Sequence, residues 1–98
     1  MNEALIVEPI TPELVRELRE AALQGATVRG LTGIVRQHLG CRETPTIPLL
    51  GAFVHAFRLP LIKVLPIREW LGTDRDEEID ALILPEIDKA KDKWLQPV

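Results

Sequence analysis

The sequence predicts a mainly α protein: a small single-domain helical bundle of four to six helices spanning residues 1–98, with room for one short N-terminal strand. Three observations predict it. Apolar residues recur at the 3.6-residue period over every long segment. The first two of those segments open at a threonine and close at a glycine, Thr11 to Gly25 and Thr27 to Gly40. Prolines 45, 48, 60 and 66 cut the centre into short pieces joined by short connections. A chain of 98 residues makes one domain with a radius of gyration of about 13 Å. Its 46% hydrophobic and 28% charged residues are the balance of an ordinary globular core with a solvated surface.

In chain order, Ala4-Leu5-Ile6-Val7 reads as the short strand. A lone strand needs a partner for its edge, and residues 61–65, which read weakly as extended, are the best internal one. The first helix opens at Thr11-Pro12, a hydroxyl N-cap followed by proline at the first helical position, with Glu13 in the first turn and Gly25 as the stop. Leu14, Val15, Leu18, Ala21 and Ala22 fall on one arc of it. Residues 27–39 form a second helix, with Val28, Leu31, Val35, His38 and Leu39 inward, Ile34 at the margin and Gly40 as terminator. A third helix runs from Pro48 to Leu59, and Leu49, Leu50, Phe53, Val54 and Phe57 cover nearly half its circumference, so it is central.

Pro60 and Pro66 then divide the chain into two short pieces, the second closing at Trp70-Leu71-Gly72. In the last segment Asp74 and Glu77 have the spacing of a capping box. Ile79, Leu82, Ile83, Ile87, Ala90 and Trp94 keep one helical phase across Pro85. That phase predicts a kinked helix or two collinear ones, with Pro85 outward. It would be about 33 Å long, enough for its end to protrude and meet another chain.

The net charge of −3 is distributed unevenly. Residues 1–20 hold two arginines against five glutamates, residues 21–68 six cations against Glu43 alone, and residues 69–98 four cations against nine acids. The basic middle is therefore flanked by acidic ends that can fold back on it. The apolar stretch 47–67 is core rather than a membrane span, because His55, Arg58, Pro60 and Lys63 sit inside it and a charge at a bilayer centre costs at least about 2.5 kcal/mol.

Serine and tyrosine are absent, which excludes serine-nucleophile chemistry and tyrosine phosphorylation. The single cysteine, Cys41, excludes an internal disulfide and points to a reduced, cytoplasmic compartment. The N-terminus carries no basic-apolar-small export pattern. His38 and Cys41 could meet at a helix end, but a Cys-His nucleophile also needs an orienting group and an oxyanion hole. Adding His55 gives three soft ligands without a zinc spacing. The cluster Asp74, Asp76, Glu77, Glu78 and Asp80 lacks the central glycine and ligand register of a calcium loop. No catalytic residue, metal site or cofactor is expected. Trp70 and Trp94 read as core or hinge fillers rather than stacking platforms.

Two functional expectations follow. The first is a non-enzymatic protein-interaction module, a regulatory subunit or adaptor, that binds itself as a homodimer or a larger partner protein. Its expected surface is Arg58, Leu61, Ile62, Lys63, Leu65, Arg68 and Trp70, apolar groups beside cations. The second rests on Ala21, Gly25, Leu31 and Ile34, whose arrangement as helix, glycine turn and helix resembles the helix-turn-helix of DNA-binding proteins. That resemblance implies Arg29, Thr32, Arg36 and Gln37 as the residues facing DNA, while the acidic pI near 5.3 opposes it. Gly30 and Gly33 stand apart. Two glycines inside a helix cost about 1 kcal/mol each relative to alanine, so either a close neighbour, including a phosphate, needs that backbone or residues 27–33 are partly loop. Their spacing resembles the Gly-x-x-Gly loop of KH domains, but with Leu31-Thr32 in place of basic residues.

Overall fold

The computed structural model describes residues 10–40 and 46–95. Seven helical runs fall among them: α1 (Pro12–Leu23), α2 (Val28–Leu39), α3 (Thr46–Phe57), α4 (Leu61–Val64), α5 (Pro66–Trp70), α6 (Asp76–Lys89) and α7 (Lys91–Trp94). Leu65 is itself in helical conformation, so α4 and α5 read as one bent helix and the runs amount to six helices. No strand occurs among the described residues. The predicted strand at residues 4–7 lies outside them, and its predicted partner is helix α4.

Local chemistry sets the ends of the first two helices. The Leu14 N–H donates to Thr11 Oγ1 at 3.1 Å, and Gly25 beyond the C-terminus has φ +89°. In α2 the Gly30 N–H donates to Thr27 Oγ1 at 3.2 Å and Gly40 closes the helix in the left-handed region. A further orphan donor of α2, the Val28 N–H, is met from far along the chain by Asp80 Oδ1 at 2.9 Å. This bond ties the start of α2 to α6.

Helix α3 is the hub, as its apolar circumference predicts. It packs against α1, α2, α4, α5 and α7. Leu49, Ala52, Phe53, Ala56 and Phe57 are buried. Phe53 lies 5.8 Å from Phe57, and Phe57 meets Trp94 edge-to-face at 5.2 Å. Such aromatic pairs contribute about 0.5–1.5 kcal/mol each beyond the area they bury. The Arg19 Nε–H donates to the Ala56 carbonyl at 2.6 Å, satisfying an acceptor at the end of α3.

Several expectations are corrected. Helix α3 ends at Phe57 rather than Leu59, because Arg58 takes a positive φ of 54° and turns the chain. Helix α6 starts at Asp76, not at an Asp74 cap, and no side chain caps it. Its end does not protrude. The chain turns at Ala90, and α7 brings Trp94 back into the core, where its indole N–H donates to the Ile87 carbonyl at 2.9 Å. Leu82 is exposed, because Ile79, Ile83, Ile87, Ala90 and Trp94 complete the buried stripe without it. His38 is exposed and its Nε2 lies 2.6 Å from Glu17 Oε1 on α1, while Thr32 takes the inward place. Residues 28–33 are helix, not loop.

Among the described residues no single helix is long and apolar enough to cross a membrane; α3 and the α4–α5 piece, which pass that test only together, meet at a 120° bend. Their apolar side chains, including Leu49, Phe53, Val64 and Ile67, fill the core.

Candidate functional site

Two surfaces bring sequence-predicted residues together. The first forms where α4 and α5 pack against α6. Lys63 Nζ lies 3.9 Å from Glu86, Pro66 and Glu69 line a shallow hollow of about 160 Å³ with Ile79 and Leu82, and the Trp70 indole N–H donates to Asp76 Oδ1 at 3.2 Å. Pro60 in extended conformation starts α4, so Leu61 and Ile62 fall on its first turn, ahead of the inward Val64. They are 54% and 69% exposed, and Leu82, which lines the hollow from α6, is 55% exposed. Three large aliphatic side chains therefore stand in water on adjoining helices.

Of the other residues predicted for this surface, Arg58, Lys63 and Arg68 are exposed and Leu65 is half-buried. Trp70 is not a surface residue. It is 5% exposed, because the Arg29 guanidinium lies 5.2 Å above its ring and Asp76 takes its N–H. Helical phase alone puts Leu82 inward; the signal that it is not is the completeness of the 79-83-87-90-94 stripe.

The second surface is a cavity of about 580 Å³ formed by Arg29, Gly33 and Arg36 of α2, Thr46 at the start of α3 and the turn at residues 70–73. Arg29, Gly33 and Arg36 are spaced i, i+4, i+7 and share one face of α2. Arg29 is fixed: its Nε and Nη2 donate to the two Asp76 oxygens at 2.6 and 2.7 Å, and Nη2 also reaches the Thr73 carbonyl at 3.0 Å. The hydrogen bond from Arg29, then that from Trp70, holds the Asp76 carboxyl below its ordinary value, and the same pair raises Arg29. Arg36 has no partner among the described residues. Thr32 is 5% exposed and its Oγ1 is buried without a hydrogen-bond partner.

For the residues that the helix-turn-helix resemblance implies, this geometry leaves Arg36 and Gln37 exposed, while Thr32 is buried and Arg29 is committed to Asp76 and Thr73. Cys41 lies outside the described residues, and His38 is paired with Glu17. Among the described residues no group of three His, Cys, Asp or Glu side chains is placed to hold a metal ion. Compared with protein-family models, curated proteins and solved structures, the chain matches none.

Proposed function

We propose that the chain is a non-enzymatic, cytoplasmic protein-interaction module, a regulatory subunit or adaptor, that binds another protein chain through the α4–α6 face. The observation that carries this reading is the exposure of Leu61, Ile62 and Leu82 on adjoining helices. Exposed aliphatic side chains on a small domain are a liability in water and an asset at an interface. Arg58 and Arg68, exposed and without carboxylate partners among the described residues, set the chemistry of the partner: apolar at its centre and acidic at its rim. Desolvating three such aliphatics contributes about 1.5–3 kcal/mol each when burial is complete.

The test replaces Ile62 and Leu82 together by Asp. Both side chains are largely in solvent, so the double variant keeps its far-ultraviolet circular dichroism and its unfolding temperature. The wild-type chain should run as an oligomer in light scattering or retain a stoichiometric partner protein from its native lysate, and the double variant should lose that assembly. A wild-type monomer that retains no partner rejects the reading. So does an assembly that the double variant leaves unchanged.

A further inference from the structure

Gly33 lacks a packing reason. It lies inside α2, where glycine costs about 1 kcal/mol relative to alanine, yet a Cβ built on it meets nothing within 4 Å. Gly30 is the same in kind: its added Cβ would make only ordinary contacts, 3.6 Å to Thr27 Oγ1 and 3.8 Å to the Ala26 methyl. Among the described residues no neighbouring element requires either glycine. The space over Gly33 is the 580 Å³ cavity, within the size range of small-molecule sites.

The polar groups around that space are unevenly satisfied. Arg29 is locked at one end, its Nε and Nη2 donating to Asp76 and Nη2 also to the Thr73 carbonyl. Arg36, two helical turns and about 10.5 Å further along, has no carboxylate partner, and the Thr46 hydroxyl has none of its own among the described residues. The Thr73 hydroxyl is already committed: it donates to the Trp70 carbonyl at 2.7 Å and accepts from the Arg75 N–H at 3.3 Å. Thr32 also lines the space, and its Oγ1 is buried and unpaired among the described residues, a state that ordinarily carries a penalty. A guanidinium and a hydroxyl beside bare helix backbone thus present donors with no acceptor among the described residues.

We infer that this cavity binds a small organic phosphate, with the phosphate held by Arg36 and Thr46 and the organic body lying over Gly33 against the turn at residues 70–73. Arginine matches phosphate geometry through paired N–H donors, and glycine lets a ligand approach the helix to backbone distance. The inference is independent of the α4–α6 face, since none of Leu61, Ile62 or Leu82 lines the cavity.

The probes are inorganic phosphate and adenosine monophosphate, titrated at constant ionic strength into ¹⁵N-labelled chain. Saturable amide shifts should concentrate at Gly33, Arg36, Thr46, Gly72 and Thr73, larger for the monophosphate than for phosphate alone. Arg36→Ala should weaken binding about tenfold, the worth of one charge-assisted contact. Gly33→Gln, whose side chain enters open space, should abolish it while unfolding no earlier than wild type. Arg16→Ala, an exposed cation on α1 without a partner among the described residues, should change nothing. Absence of saturable shifts, shifts spread equally over Arg16, or binding undiminished in Arg36→Ala would each overturn the inference. So would a short DNA duplex that outcompetes the monophosphate at equal phosphate concentration, because the site would then belong to a polyanion.

Discussion

Gly33→Ala should stabilise this protein. The residue is in the interior of α2, where replacing glycine by alanine is worth about 0.8–1.0 kcal/mol in helix propensity. The usual reason such a gain is lost, collision of the new methyl with a neighbour, is absent among the described residues because, apart from its chain neighbours and the helix's own backbone, nothing lies within 4 Å of its position. For a domain of this length 1 kcal/mol moves the unfolding midpoint by about 4–8 °C. Two further glycines calibrate the measurement. At Gly51 the new methyl would sit 3.2 Å from Ile10 Cδ1; that side-chain tip has to yield by a few tenths of an ångström, so the gain shrinks. At Gly72 φ is +83°, and alanine there costs about 1–2 kcal/mol, so the midpoint falls. Thermal unfolding followed at 222 nm therefore ranks Gly33→Ala above Gly51→Ala above Gly72→Ala, with wild type above only the last. A Gly33→Ala variant that unfolds at or below the wild-type temperature would refute both the helical assignment at that residue and the claim that the space above it is open.

Two other outcomes follow from the packing and the charges. Trp94→Ala removes the side chain that closes the core against Phe57 and strands the Ile87 carbonyl; the expected loss is about 3–5 kcal/mol, read as a fall in the urea midpoint, and a loss within the range of a surface substitution would contradict the placement of α7. The depressed Asp76 carboxyl stabilises the fold at pH above its ordinary value of 3.8, and this contribution disappears as pH falls below that value toward the folded one. Asp76→Asn should thus lower the unfolding midpoint at neutral pH but flatten its decline in acid, and parallel pH profiles for the two proteins would exclude the effect.

The parts of the fold that the sequence exposed are those governed by neighbours in the chain. Thr11-Pro12, Thr27 and Gly40 cap the helices they border, because a hydroxyl acceptor and a left-handed terminator act within one turn. The departures come from contacts between distant residues. Asp74 and Glu77 have a capping spacing, yet Asp76 engages Arg29 and Trp70, and a bidentate pair with an arginine 47 residues away outweighs a local cap. The helical phase carried α6 straight to Trp94, but burial of the indole against Phe57 outweighs one continued turn, and neither glycine nor proline marks the bend at Ala90. Residues 61–65 looked extended because of their branched side chains and flanking prolines; Pro60 and Pro66 instead stand at the N-terminal edges of two helical turns, where a missing N–H costs nothing. Of the two surfaces, the sequence exposed the Leu61-Ile62 pair and the oddity of Gly33. It did not reveal Leu82 beside the first or the turn at residues 70–73 over the second, since both depend on how α5 and α6 meet.

The two indoles occupy opposite chemical situations: Trp70 lies beneath a guanidinium beside the 580 Å³ cavity, and Trp94 sits among phenyl rings in a dry interior. With no tyrosine in the chain, near-ultraviolet absorption and emission come almost wholly from this pair. Trp94→Phe leaves a lone fluorophore reporting on occupancy of the cavity, and Trp70→Phe leaves one reporting on integrity of the core, so ligand capture and unfolding can be followed as separate optical signals in one small protein.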